Sequence, residues 1–141
     1  MRLSVFIPEN SPQLLIDLKK LYQGYLNEQD LTDASLKSLI SDPQSLFFVT
    51  LFNARHLGAV EVITKDEQAT LKHLCVREIT RRRGVGKNLL GEVEKHLSNK
   101  NISTVTMPLA NIREDEQATT KEFMQSCGYQ IIENRFIKKL S

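Results

Sequence analysis

The sequence predicts an α/β (α+β) protein in which a mixed, mostly antiparallel sheet carries helices on both faces. Two observations carry that prediction. The apolar residues switch repeatedly between a period near 3.6 and a period near 2, in the order β-α-α-β-β-β-α-β-α-β-β. The 141 residues, 40% hydrophobic and 26% charged, also run without a low-complexity linker or an internal repeat. One domain spanning residues 1–141 is therefore expected. A chain of this size buries about two-thirds of its unfolded surface and needs no disulfide or metal to fold.

Taken in order, Arg2 to Ile7 alternates in part and is bracketed by Pro8 and Pro12, so it reads as a strand. From Pro12 the residues Leu14, Leu15, Leu18, Leu21, Tyr22 and Tyr25 recur at helical spacing, with Ser11 as N-cap. A shorter helix is expected from Thr32 to Ile40, where Asp33 can cap and Asp42-Pro43 stops it. Three β-type runs follow: Ser45 to Phe52, Leu57 to Thr64 and Ala69 to Val76. Asn53-Ala54-Arg55-His56 and Lys65-Asp66-Glu67-Gln68 have hairpin length. Val85, Leu89, Leu90, Val93 and Leu97 then share a helical face that ends near Ser98-Asn99. Ile102 to Met107 is strand-like, and Glu116 to Cys127 reads as a helix stopped by Gly128. Tyr129 to Ile132 and Arg135 to Ile137 form a last strand pair turning at Glu133-Asn134.

The formal charge of +2 does not by itself suggest a nucleic-acid or membrane partner. Cys75, Cys127 and the three histidines are scattered without metal-type spacing, so no metal site is expected. MRLSVFIPEN contains no apolar run of signal-peptide length, and no stretch approaches the roughly 18 apolar residues of a membrane span. A reduced, cytoplasmic, soluble protein is the expectation.

The informative stretch runs from Leu74 to Leu90, through Thr80-Arg81-Arg82-Arg83-Gly84-Val85-Gly86-Lys87. It reads strand, glycine-containing turn, helix. Such a turn gathers backbone N–H groups at the positive end of a helix, a geometry that suits a pyrophosphate. Gly84 and Gly86 permit close approach because neither has a Cβ. Three adjacent arginines at a helix N-terminus oppose the macrodipole and repel one another, at about 0.3–1 kcal/mol each, unless an anion arrives. A solvated basic turn would look the same, and two anions fit it: nucleotide phosphates or an RNA backbone. The segment has neither the Lys-Ser/Thr ending of a P-loop nor the third glycine of a dinucleotide fingerprint. There is no aromatic platform beside the arginines of the kind single-stranded RNA binders use.

Arg81-x-x-Gly84-x-Gly86, after a strand and opening a helix, resembles motif A of the GCN5-related N-acetyltransferase (GNAT) superfamily, and the element order resembles that fold along nearly the whole chain. The resemblance implies a site for coenzyme A or acetyl-CoA made of Leu74, Cys75, Val76, Thr80, Arg81, Arg82, Arg83, Gly84, Val85, Gly86 and Lys87. In it the strand residues splay from their neighbour and pair with the pantetheine arm, and the turn amides hold the pyrophosphate. GNAT enzymes commonly place a general-acid tyrosine four residues before the glycine that ends the late helix. Met124 stands there, and a thioether cannot donate a proton; Gln117 replaces an asparagine two turns earlier. Glu61 lies where many members of the superfamily hold a general-base carboxylate, although a strand carboxylate is more often solvated. Cys75 has no histidine placed by sequence to activate it, so it reads as a strand cysteine. No catalytic residue is assigned.

The run Val76-Arg77-Glu78-Ile79-Thr80-Arg81-Arg82-Arg83-Gly84-Val85-Gly86 resembles the PanZ (PanM) family more closely. So do Leu89-Leu90, Glu92-Val93, Phe123-Met124-Gln125 and the pair Phe52-Asn53. That resemblance implies a CoA-dependent regulatory protein. It would bind the precursor of aspartate 1-decarboxylase, PanD, promote its self-cleavage to the pyruvoyl form, and restrain the mature enzyme. It also implies that Asn53, Arg81 and Arg82 touch the partner, although Asn53 is equally a natural hairpin residue. Arg55 reads as solvated rim. No nucleic acid and no membrane are expected among the partners; an acyl-CoA-dependent N-acetyltransferase is the alternative.

Overall fold

The computed structural model describes residues 3–77 and 84–140. A short strand β1 (Ser4–Phe6) leads into helix α1 (Pro12–Tyr22) and, past a 3-10 turn at Glu28–Leu31, helix α2 (Asp33–Ser41). The meander β2 (Leu46–Phe52), β3 (Arg55–Lys65) and β4 (Gln68–Val76) follows. Helix α3 (Val85–Asn99) precedes β5 (Thr104–Pro108). Two 3-10 turns then lead to helix α4 (Gln117–Ser126), and the pair β6 (Gln130–Ile132) and β7 (Arg135–Lys139) closes the chain. The seven strands form one sheet in the order β1-β2-β3-β4-β5-β7-β6. Every pairing is antiparallel except β4 with β5.

The sheet has two buried faces because its central strands alternate large apolar side chains. Phe47 and Val49 pack with Leu14, Leu18, Tyr22 and Leu36 of α1 and α2. Phe48, between them, turns to the opposite face with Leu89, Leu90, Val93, Leu97 and Met124 of α3 and α4. Burying one such side chain contributes about 1.5–3 kcal/mol. The local chemistry at the helix ends follows the sequence: Ser11 Oγ accepts the Leu14 amide at 3.1 Å, Pro12 opens α1, and Gly128 takes φ 94 after α4.

Two local expectations change. Thr32, not Asp33, caps α2, accepting the Ser35 amide at 3.2 Å; Asp33 is the first helical residue and pairs with Lys19 instead. The β2–β3 connection is a two-residue turn, Asn53-Ala54, because Arg55 already pairs with Phe52. Both turn residues are left-handed, at φ 49 and 63, as such a turn demands. Arg55 is not loose rim either. Its Nε donates to Asp17 at 3.1 Å, beside the His56 amide at 2.9 Å and the His56 Nδ1 contact at 2.8 Å. Burial alone would push the Asp17 carboxyl up, but these donors and the Gln13 amide hold it below the usual carboxylate value.

Candidate functional site

The chemistry-bearing region is where β4 parts from β5. β4 pairs with β3 out to Val76, but with β5 only through Gln68–Thr104, Ala69–Val105 and Thr70–Thr106. Farther on, Met107 and Pro108 of β5 are held on their other side, by Phe136 and Arg135 of β7. The two strands diverge, and a cleft of about 1320 Å³ opens between them. β4 from Leu71 onward, Gly86 of α3, Met107 and Phe123 are among its walls.

The divergence has a local cause. Ala59 pairs with Cys75 and Glu61 with Lys72, so β4 spends one more residue than β3 over that interval. This bulge bends β4 away from the sheet plane. His73 lies in it with φ 54, a left-handed conformation that few non-glycine residues adopt. Tyr22 of α1, fully buried, donates its hydroxyl to the His73 carbonyl at 2.6 Å and pins the bulge. Burial, with the nearby Cys75, Tyr25 and Glu61, pushes the Tyr22 phenol well above its ordinary pKa, so it remains a donor at any physiological pH.

At one end of the cleft stands the N-terminus of α3. Gly84, at φ 77, occupies the N-cap and brings no side chain to compete for the first-turn amides. No acidic residue lies in that turn. A helix start of this kind is suited to an anion. Gly86 has a packing role as well: a Cβ there would stand 2.8 Å from Cζ of Phe123 and 3.3 Å from Cγ2 of Val76. Among the described residues nothing lies within 4 Å of a Cβ added at Gly84, where the positive φ resists a side chain. Gly84→Ala should therefore cost about 1 kcal/mol, read as a small fall in melting temperature, with the fold intact.

Of the residues named from the sequence, Leu74, Cys75, Val76 and Gly86 line the cleft together. Val85 is buried in the core, while Gly84 and Lys87 are exposed at the helix start. Thr80, Arg81, Arg82 and Arg83 lie outside the described residues. The Cys75 thiol donates to the Leu21 carbonyl at 3.1 Å, which ties the strand to α1. Asn53 sits at the exposed tip of the β2–β3 hairpin. That hairpin and β4 leave the sheet at the same end, for Gly58 pairs with Val76 and the Arg77 amide donates to Leu57 at 2.7 Å.

Several cleft residues escaped the sequence reading. Tyr25 and His73 meet edge to face at 6.3 Å on its wall. Glu61, weighed from the sequence as a general base and expected to be solvated, is instead buried, 3.9 Å from His73 Nε2. At the other side Arg113, held by Asp115 at 3.1 Å, donates to the Gly24 carbonyl at 2.7 Å and links the loops flanking the cleft. α4 turns Phe123 toward the cleft and buries Met124 in the core. Position 124 therefore looks away from the site. No group of three or more potential metal ligands occurs among the described residues, and no helix among them is long and apolar enough to cross a membrane.

A family model described as the acetyltransferase (GNAT) domain of PanZ matches residues 4–136. The chain belongs to the PanZ family. Two curated relatives, from Salmonella typhimurium and Escherichia coli, are both named PanD regulatory factor. They are 37% and 35% identical over 130 residues, covering 92% of this chain and 92% of each relative. The solution NMR structure of YhhK from E. coli, bound to coenzyme A, is similar at TM-score 0.79 and 31% identity. That match covers 99% of this chain and 100% of the other. PaiA N-acetyltransferase from Thermoplasma acidophilum, in complex with coenzyme A, is similar in fold alone, at TM-score 0.75 and 19% identity, covering 99% of this chain and 100% of that one. The PanZ match thus takes in both walls of the cleft and the hairpin carrying Asn53.

Proposed function

We propose that this protein is a CoA- or acetyl-CoA-dependent regulator of aspartate 1-decarboxylase. In this reading it acts in the cytoplasm, binds the PanD precursor, promotes self-cleavage to the pyruvoyl form, and limits the mature enzyme. Pantothenate and CoA synthesis would then answer to the CoA supply. The observation that carries the reading is the splayed cleft at the start of α3, in a chain whose relatives are PanD regulatory factors.

The residues present fit the ligand. Leu74, Cys75 and Val76 would offer strand backbone to the pantetheine arm. Thr80, the arginines Arg81, Arg82 and Arg83, and the turn running through Gly84, Val85, Gly86 and Lys87 would hold the phosphates. Bound there, CoA would supply anionic charge to three arginines adjacent in sequence. The partner surface combines Asn53 with Arg81 and Arg82. Some arginines would neutralise CoA phosphates while others face the partner, so the ligand completes an electrostatic surface that alone is self-repelling. The nucleophile of the cleavage belongs to PanD; this protein holds a conformer of it.

Acetyl transfer is the competing reading, favoured by the carboxylate of Glu61 behind His73 at the cleft wall. Against it, Met124 is sealed in the core. One assay separates the two. Purified PanD precursor is incubated with this protein, with and without acetyl-CoA, and followed by mass spectrometry. Cleavage that needs both protein and ligand is the expected result. Cleavage indifferent to both, in a protein that still binds acetyl-CoA, would overturn the regulatory role and direct attention to amine acceptors.

A further inference from the structure

The β2–β3 turn is held in a conformation its own sequence supports only in part. Asparagine enters the left-handed region readily, but Ala54, at φ 63, has no side-chain hydrogen bond to offset the steric cost. The ladder beneath the turn is interrupted too. Thr50 pairs with Gly58 but Leu51 with His56, so the last two rungs stand beyond a bulge. Something other than local sequence must fix them.

Asp17 does so from α1. It is 4% exposed, on the face of the helix that also carries Leu14, Leu18 and Leu21. It accepts from Arg55 Nε at 3.1 Å, from the His56 amide at 2.9 Å and from Gln13 Nε2 at 2.8 Å, with His56 Nδ1 at 2.8 Å. Three of these four contacts come from the two residues that directly follow the turn. An apolar side chain would serve the packing of α1 better, because a buried carboxylate must be desolvated. Its bonds reach the hairpin, whose tip is exposed.

We propose that Asp17 is a positioning residue for partner recognition: through Arg55 and His56 it fixes the Asn53-Ala54 turn in the form a partner protein meets. Asp17, too buried to touch a partner, acts through pre-organisation, which removes an ordering cost from binding. The inference rests on the reading of Asn53 as a partner contact.

The test is a double-mutant cycle of Asp17→Asn and Asn53→Ala, with calorimetric titration of PanD precursor at saturating acetyl-CoA. Amide spectra of the free proteins and acetyl-CoA affinities are measured in parallel. Asp17 also lines the cleft, so partner binding is read at saturating acetyl-CoA, where Asp17→Asn is expected to weaken it about tenfold and to shift the Asn53 and Ala54 amides. In the Asn53→Ala background the same change should weaken binding less than about twofold, since the contact it prepares is gone. A full tenfold loss in that background, or unmoved turn amides, would overturn the proposal. If Asn53→Ala alone binds like the parent, the partner assignment of Asn53 fails, and the amide shifts still decide whether Asp17 holds the turn. If Asp17→Asn does not fold, Arg55→Gln takes its place. It alters a half-exposed side chain and removes one of the bonds, and the expected weakening is about threefold, again absent when Asn53 is alanine.

Discussion

Replacing Gly86 by alanine should lower stability by about 1–2 kcal/mol, roughly 3–8 °C in melting temperature, and weaken acetyl-CoA binding about tenfold. Helix propensity argues the other way, since alanine is favoured over glycine inside a helix by up to about 1 kcal/mol. Sterics win here because the new methyl would meet the Phe123 ring at 2.8 Å and 3.1 Å and Val76 at 3.3 Å. Those residues line the cleft, so relief of the clash moves its wall. Two explanations of the lost affinity can be separated. If the methyl acts by displacing Phe123, then Phe123→Leu in the same chain should restore both melting temperature and affinity. If it acts by crowding a phosphate, the second change should restore the melting temperature alone. Thermal unfolding and calorimetric titration of the four proteins make the comparison.

Tyr22→Phe should have an effect of similar size through a different part of the cleft. The hydroxyl is buried and donates at 2.6 Å to the carbonyl of His73, in the bulge that parts β4 from β5. Removing it leaves a carbonyl without that donor and costs about 1–3 kcal/mol. The bulge also loses its anchor to α1, so acetyl-CoA affinity should fall about three- to tenfold. A fall in stability with affinity unchanged would mean that the bulge keeps its shape without the tyrosine. Because the phenol stays protonated, the difference between the parent and the variant should not change with pH between 6 and 9.

These two residues mark where the sequence was legible and where it was not. Apolar spacing gave the helix faces, and Ser11-Pro12 and Gly128 announced helix ends because capping is local chemistry. The glycine at the start of α3 was legible for the same reason, and Gly84 takes φ 77 at the N-cap; the arginines before it lie outside the described residues. The bulge at His73 was not. It depends on a bond from a helix 51 residues earlier, and histidine's modest enrichment at left-handed φ is too weak a signal to place a bulge. The short Asn53-Ala54 turn was missed because alanine is an unusual choice at positive φ, and because Arg55 and His56, which pair beyond it, also bond to Asp17 on a distant helix. A trace of that was visible, since Asp17 interrupts the otherwise apolar face of Leu14, Leu18 and Leu21. Thr32 and Asp33 are both natural caps; Thr32 takes the Ser35 amide, and Asp33 pairs with Lys19.

The sheet can also be regarded as two leaves, β1 to β4 and β5 to β7, with α3 as the covalent link. Their backbone seam is the three residue pairs from Gln68–Thr104 to Thr70–Thr106. Beyond so short a seam the two leaves are joined by side-chain packing, in one buried cluster that includes Leu71 on one side and Val105 and Phe136 on the other. Under the proposed function, a ligand lying in the cleft would touch both leaves and act as a rivet. Its arrival would be felt as stiffness at β4, at the β2–β3 hairpin paired through β3, and at α4 beyond the gap. The abundance of a small metabolite would thereby be converted into the rigidity of a surface, a quantity that another protein could sense.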